Sequence, residues 1–146
     1  MGIDQKLSPE IEASIRHSFA AQTMMATFGA DLVAVSQGHA RIEAPILPGS
    51  LQQHGYAHAG LTFAIGDSAA GYAALGVMPE GSEVLTTEMK INLLAPARGE
   101  RLIARGRVIK PGRRLVIVQA DVHAVDDGQE TYVALLTGTM IPLLPG

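Results

Sequence analysis

A long segment of small and apolar residues, from about Ala59 to Val77, constrains the fold of this 146-residue chain more than any other feature. The segment is apolar or small on nearly every face, and Asp67 is its only residue that is charged at neutral pH. This pattern is typical of a helix that is buried on most of its surface. Neighbouring strands could approach such a helix closely because it is rich in small residues: Gly60, Gly66, Ala69, Ala70, Gly71, Ala73 and Ala74.

The segments around this helix predict one further helix and six strands. Ser8 can cap a first turn that begins at Pro9, so we expect an N-terminal helix from Pro9 to about Gln22. Alternation of apolar and polar residues predicts a hairpin over Asp31–Ser36 and Ala40–Ile46. The same pattern predicts four later strands, over residues 83–94, 100–110, 114–125 and 131–143, which could pair in chain order as a meander.

This order of elements predicts an α+β fold. One antiparallel sheet of about six strands would wrap around the long central helix, with the extra helix at the N-terminus. The length fits a single domain over residues 1–146 that is long enough to bury one core.

Composition and charge argue against several classes of function. A net charge of −3 gives no field that attracts phosphate backbones, so we do not expect a nucleic acid partner. The absence of cysteine removes thiolate nucleophiles and fits a reducing compartment. No secretory signal is visible, and Asp67 and Ser68 interrupt the longest apolar stretch. We therefore expect a cytoplasmic protein with no membrane partner.

Two motifs near Asp67 are weak signals. The G-D-S run at Ser68 resembles that of trypsin-like proteases, but the chain is too short for their double barrel and Ser68 falls inside a predicted helix. His54 and His58 have a spacing that can place two metal ligands on one helix face. However, Gly55 between them indicates a loop, and no third ligand except Asp67 lies nearby. We expect neither a serine nucleophile nor a metal site.

The carboxylate of Asp67 is the stronger candidate for chemistry. Loss of solvation in an apolar helix raises the pKa of a carboxyl group, which suits a general base or a nucleophile. A structural carboxylate that accepts hydrogen bonds is the alternative. The helix start at His58-Ala59-Gly60 favours chemistry, because its free N–H groups and positive dipole end can stabilise an oxyanion.

The spacing of these groups predicts a second subunit. Ala59 and Asp67 are eight residues apart, so along one helix they lie about 12 Å from each other. One carbonyl group cannot contact both, and joint catalysis requires a homodimer with the helices side by side. The sequence leaves a dimer and a dimer of dimers open.

A basic turn, Lys110-Pro-Gly-Arg-Arg114, separates two of the predicted strands. A charge cluster of this kind is most often a solvated hairpin turn. Its alternative role is to hold phosphate groups.

The run Gln52-Gln-His-Gly-Tyr-Ala-His-Ala-Gly60, followed by Asp67, resembles the hotdog-fold acyl-CoA thioesterases of the PaaI type. Leu94-Ala-Pro-Ala97 and Pro111-Gly-Arg113 add to the resemblance, which covers roughly Leu47 to Thr139. It implies a hotdog fold and hydrolysis of an aryl- or medium-chain acyl-CoA to free acid and CoA. A non-catalytic hotdog protein that binds acyl-CoA or another ligand is the alternative.

The resemblance also implies roles for individual residues. Asp67 would be the nucleophile or the base that activates water, and the Ala59 N–H, with Gly60 following, would polarise the thioester oxygen. Gln52 would help to place the water or the leaving sulfur, and His58 would shape the helix entrance. The family usually has H-G-G where this chain has H-A-G, so the Ala59 methyl group could crowd the thioester.

For the CoA portion, the resemblance implies contacts contributed partly by the neighbouring subunit, from Asn92, Pro96, Lys110, Arg113 and Arg114. No separate cofactor is expected, since CoA is part of the substrate. The apolar side chains that could line an acyl channel, but at such spacing more often belong to the core, are Met24, Met25, Phe28 and Phe63.

Overall fold

A computed structural model of the chain describes residues 5–146. Two helices come first, α1 (Pro9–Ala20) and α2 (Thr23–Phe28), followed by a hairpin of β1 (Asp31–Ser36) and β2 (His39–Pro45). A 3-10 turn (Pro48–Ser50) and a loop lead into the central helix α3 (Ala59–Leu75). The last four strands are β3 (Glu83–Leu93), β4 (Arg101–Pro111), β5 (Val116–Asp126) and β6 (Gln129–Leu143).

The six strands form one antiparallel sheet in the order β1-β2-β4-β5-β6-β3. The prediction of a meander of four strands is wrong for β3, which pairs with β6 and not with β4. Alternation along a strand reports which face is buried but not which strand lies alongside. After α3 the chain forms β3 at the edge of the sheet opposite β1. It then returns to the middle of the sheet as β4, which pairs with β2.

The N-terminal helix begins where the sequence predicts. Ser8 Oγ accepts a hydrogen bond from the Ile11 N–H (3.3 Å). The helix ends at Ala20, and a second helix that the sequence analysis missed follows at once. This second helix, α2, has only six residues, too few to show a helical period, and it ends at Gly29 in the left-handed conformation (φ 67°).

Small residues allow α3 to lie close to the sheet, as predicted. A Cβ added to Gly106 of β4 would come within 2.3 Å of the Ala69 backbone on α3. Gly66 plays the same part on the helix, where an added Cβ would lie 2.8 Å from the Leu136 side chain of β6. The core between helix and sheet therefore depends on the absence of side chains at these positions.

The sheet covers only one side of α3. Gly60, Phe63 and Asp67, spaced three or four residues apart, face away from the core and form an open stripe along the helix. Phe63 is 38% exposed, an unusual position for a large apolar side chain. The prediction of a helix buried on most of its surface holds for the sheet side, whereas within residues 5–146 Gly60 and Phe63 are exposed on the other side and Asp67 is only partly buried.

Candidate active site

The loop before α3 is held by its own backbone. The Gln52 N–H donates to the Tyr56 carbonyl (2.8 Å), and the Gly55 N–H donates to the Gln52 carbonyl (3.0 Å). Gly55 makes this turn with a positive φ of 86°. The His58 N–H donates to the Ser50 carbonyl (2.9 Å), so the start of α3 has a fixed position relative to the loop.

The side chain of Gln52 belongs to the same turn. Its Oε1 accepts hydrogen bonds from the backbone N–H groups of His54 and Tyr56, the latter at 3.3 Å. The acceptor end of the amide is thus engaged, which leaves the Nε2 donors for another partner.

His58 is the N-cap of α3. Its Nδ1 accepts a hydrogen bond from the Gly60 N–H (2.8 Å). The Ala59 N–H donates to no acceptor among residues 5–146. Of the two N–H groups that the sequence places here, the Ala59 group is therefore free and the Gly60 group is occupied. Ala59 has a helical backbone with negative φ, so alanine causes no backbone strain here.

A cavity of about 560 Å³ opens beside this helix start. It contains four of the predicted site residues, Gln52, His58, Ala59 and Pro96. The rest of its wall is mainly apolar: Ala57, Leu93, Leu94, Ala95, Ala97 and Val133, with Tyr56 and Thr62. An apolar cleft with a few polar groups and a free N–H can hold a ligand with one carbonyl oxygen.

Asp67 lies on the open stripe and accepts one hydrogen bond from β3. Thr86 Oγ1 donates to Asp67 Oδ1 (2.8 Å), and Thr86 Oγ1 also lies 3.1 Å from Met140 Sδ. Burial raises the pKa of the Asp67 carboxyl, and the hydrogen bond from Thr86 opposes part of that rise. One carboxylate oxygen is held while Oδ2 has no hydrogen bond from residues 5–146.

The sequence analysis missed Thr86. The register of β3 against β6 shifts between Thr86 and Glu88, so the strand carries a bulge next to Asp67. A bulge re-aims side chains, and alternation in the sequence does not reveal it. No motif in the sequence connects Thr86 with Asp67, so only the tertiary structure could identify this contact.

Asp67 lies in a different cavity from Ala59. This second cavity, of about 240 Å³, is lined by Ser18, Gln22, Asp67, Ser68, Gly71, Tyr72, Glu83, Val84 and Thr86. The structure therefore groups Gln52, His58 and Ala59 together and leaves Asp67 apart from them. This separation agrees with the estimate of about 12 Å along the helix.

The residues predicted to contact CoA are dispersed in one chain. Lys110, Arg113 and Arg114 are exposed at the end of the β4–β5 hairpin, and none of them forms an ion pair within residues 5–146. Asn92 is exposed on β3, outside the lining of both cavities. Only Pro96 lies beside the helix start.

The candidates for an acyl channel, a serine nucleophile and a metal site lie in the core, at the surface or apart from a catalytic partner. Met25 is buried in the core and Phe28 packs against it, whereas Met24 and Phe63 are exposed. Ser68 Oγ makes a long contact of 3.5 Å with Gln22 Oε1 and no hydrogen bond with a histidine. In the part of the chain that the structure describes, no three His, Asp or Glu side chains are placed to hold a metal ion.

No helix among residues 5–146 is long and apolar enough to cross a membrane.

Comparisons with known proteins give a consistent result. The model of the thioesterase superfamily matches residues 54–131. The crystal structure of a thioesterase family protein from Silicibacter pomeroyi is 41% identical, covers 92% of this chain and 99% of its own, and superposes with a TM-score of 0.90. PaaI from the phenylacetic acid degradation operon of E. coli is 21% identical over 94% of this chain and 96% of its own, with a TM-score of 0.83.

Proposed function

The chain belongs to the thioesterase superfamily and has the hotdog fold, and from this we propose that it is an acyl-CoA thioesterase acting as a homodimer. Membership of the superfamily supports hydrolysis of an acyl thioester. We propose further that the substrate is an aryl- or medium-chain acyl-CoA. The residues assigned to its hydrolysis are also part of our proposal. A dimer of two such dimers is compatible with the same site.

The observation that carries the proposal is the separation of two complementary groups on α3. Ala59 offers a free N–H at the positive end of the helix, and Asp67 offers a carboxylate with one free oxygen. They lie about 12 Å apart along one helix and line different cavities, so neither cavity holds both groups. Two copies placed with their helices antiparallel would bring Asp67 of one subunit to Ala59 of the partner subunit.

Two further features support such a dimer. The strand β3 has eleven residues and lies at one edge of the sheet, where its outer backbone groups can pair with a second copy. The open stripe and the exposed Leu93 and Leu94 lie near this edge and would gain burial.

In the proposed site the thioester carbonyl oxygen accepts a hydrogen bond from the partner's Ala59 N–H. Acting as a base, Asp67 takes a proton from water while the water oxygen bonds to the carbonyl carbon. The carbon–sulfur bond then breaks, the proton passes to the CoA sulfur, and free acid leaves. Acting as a nucleophile, Asp67 forms a bond from its free oxygen to the carbonyl carbon, and the carbon–sulfur bond breaks to release the CoA thiolate. Water then hydrolyses the resulting anhydride, which gives the free acid, regenerates the carboxylate and supplies the proton that the thiolate takes up. Both routes need an ionised carboxylate with one free oxygen.

The other predicted residues fit supporting roles in this proposal. Gln52 keeps its Nε2 donors available at the helix start, where a carbonyl or water oxygen could accept from them. Three cations that have no ion-pair partner within residues 5–146, Lys110, Arg113 and Arg114, are available to CoA phosphates. These cations are exposed, so their contribution should weaken with salt.

The direct test is release of free thiol from a panel of aryl- and alkyl-CoA esters. We expect turnover by the wild-type protein and a loss of kcat of about 100-fold or more for Asp67→Asn, which removes the base or nucleophile at nearly constant shape. The matched control is Asp127→Asn, because Asp127 is exposed in the β5–β6 turn and asparagine tolerates its positive φ.

Two results would count against the proposal. If no CoA ester is turned over but saturable binding is observed, the protein is the non-catalytic binder that the sequence left open. If Asp67→Asn keeps full activity, hydrolysis does not use this carboxylate.

A further inference from the structure

Two arginines lie directly opposite each other on the outer face of the sheet, the face turned away from α3. Arg41 lies between Ala40 and Ile42, whose side chains belong to the core, so alternation along β2 directs Arg41 outward. In the register of β2 against β4, the partner of Arg41 is Arg105. Like charges directly opposite each other in an antiparallel pair repel, and an anion between them would relieve that repulsion.

The carboxylates that pair with the arginines here are fewer than the arginines. Arg41 Nη2 donates to Glu43, and Arg101 Nε lies 3.7 Å from the other oxygen of the same carboxylate. Arg105 Nη2 donates to Glu130 (2.8 Å). Three cations thus share two anions among these five side chains. Arg41 Nε is also shielded from solvent and has no hydrogen-bond partner within residues 5–146, and a ligand oxygen placed against it would supply the acceptor.

A cavity of about 240 Å³ lies beside the two arginines, between β1, β2 and β4. Arg41, Arg105, His39 and Ser36 form its polar lining, no lining residue is Asp or Glu, and the rest of the lining is small or apolar. The two arginine side chains are 39% and 40% exposed, so a ligand can reach both. A neighbouring cavity that shares these arginines suits an anion less well, because two carboxylates also line it.

The size and the charge of the cavity define the class of ligand. Its volume is below the roughly 300–1,000 Å³ of sites for drug-sized ligands, so the ligand is small. Each guanidinium group presents planar N–H donors that match the oxygens of a phosphate group. A phosphate monoester has close to two negative charges at neutral pH, whereas a carboxylate has one and neutralises only one arginine. The small and apolar remainder of the lining suits a compact apolar body.

We propose that this cavity binds a small phosphate monoester between Arg41 and Arg105, with His39 as a further hydrogen-bond donor. Ala59 and Asp67 belong to α3, which packs against the opposite face of the sheet. The site is therefore separate from the proposed active site, and the two proposals can be tested independently.

The test is calorimetry with phenyl phosphate, inorganic phosphate and benzoate at pH 8, where the phosphate group is doubly charged. Phenyl phosphate should bind about tenfold or more tightly than benzoate, which has the same ring and a single charge. Inorganic phosphate should bind more weakly than phenyl phosphate, because it has no apolar body to contact the lining. Benzoate or inorganic phosphate binding as tightly as phenyl phosphate would overturn the assignment to a phosphate monoester.

Single variants of the two arginines locate the site. Arg41→Gln and Arg105→Gln should each lower the affinity for phenyl phosphate by about tenfold or more, since each removes a charged donor. Arg98→Gln is the matched control, because Arg98 is an exposed arginine that pairs with Asp126 (3.3 Å) and lines neither cavity, and its affinity should equal that of the wild type. If Arg105→Gln does not fold, Arg105→Lys keeps the charge without the planar fork and should give a smaller loss. Wild-type affinity in the arginine variants would overturn the inference.

Two further variants exclude binding elsewhere on the chain. The basic turn carries three cations, so a triple variant with Lys110, Arg113 and Arg114 replaced by glutamine should still bind phenyl phosphate as the wild type does. Asp67→Asn should also keep the affinity, because Asp67 does not line the cavity. A loss of affinity in either variant would place the phosphate at the basic turn or in the proposed active site and overturn the inference, whether or not the protein hydrolyses CoA esters.

Discussion

At the residue scale, the position of Asp67 is unfavourable for the charged form of its side chain. Its carboxyl lies on an apolar helix, where burial raises its pKa, and a single side-chain hydrogen bond from Thr86 offsets only part of that effect. The sequence alone could single out Asp67 and the helix start as candidates, because a lone acid in an apolar segment and a cap before it are local patterns. It could not identify Thr86 or Gln22, because these reach Asp67 and its cavity through the tertiary structure.

A neutral side chain in place of Asp67 should therefore stabilise the fold at neutral pH. Since the pKa of Asp67 is raised in the folded state, folding favours its protonated form. The stability that this form contributes is fully present below the ordinary pKa of 3.8 and is lost as the pH rises through the folded pKa. We expect Asp67→Asn to have a higher Tm than wild type at pH 7. The difference should vanish as the pH falls below 3.8, and a difference independent of pH would contradict this explanation.

Thr86 should act on the ionisation of Asp67. Thr86→Val keeps the shape but removes the donor to Oδ1, so the pKa of Asp67 should rise and the acidic limb of the kcat/KM profile should move to higher pH. Thr86→Ser restores the hydroxyl and should return the limb toward its wild-type position. The other titratable groups that line this cavity are Glu83 and Tyr72. If the pH profile of Thr86→Val matches that of the wild type, the hydrogen bond from Thr86 has no part in the reaction.

At the element scale, local patterns predicted the elements well and their arrangement less well. The predicted bounds of the central helix differ from the observed ones by two residues at its C-terminal end, and the alternating strands lie close to their predicted positions. The position of β3 beside β6 and the bulge at Thr86 were not predicted, since both are determined by contacts between distant parts of the chain. The short helix α2 was not predicted because six residues are too few to show a helical period.

The close packing of α3 on β4 can be tested at Gly106. Gly106→Ala would place a methyl group within 2.3 Å of the Ala69 backbone, so the helix or the strand must shift. We expect a loss of about 1–3 kcal/mol in the free energy of unfolding, measured by urea denaturation. Gly49→Ala is the control, because an added Cβ there meets nothing within 4 Å, and an equal loss in both variants would contradict the packing argument.

At the scale of the whole molecule, the proposed chemistry leaves one chain with two incomplete half-sites. The helix start with its free N–H and the carboxylate that would attack are separated along a rigid helix, so conformational change within one chain is a poor way to join them. When two copies associate about a two-fold axis, the helix start of each subunit meets the carboxylate of the other, so the dimer contains two complete sites. The dimer is thus a requirement of the proposed chemistry.

The most direct measurement is the activity of mixed dimers. Ala59→Pro removes the N–H at the first helical position, where proline is accepted and where His58 already has the extended backbone that precedes proline (φ −62°, ψ 139°). We expect Ala59→Pro and Asp67→Asn each to be nearly inactive alone. When the two are unfolded and refolded together, random pairing makes half of the dimers mixed, each with one intact site, and should restore about one quarter of wild-type turnover. A mixture that stays as inactive as its components would contradict a site shared between subunits.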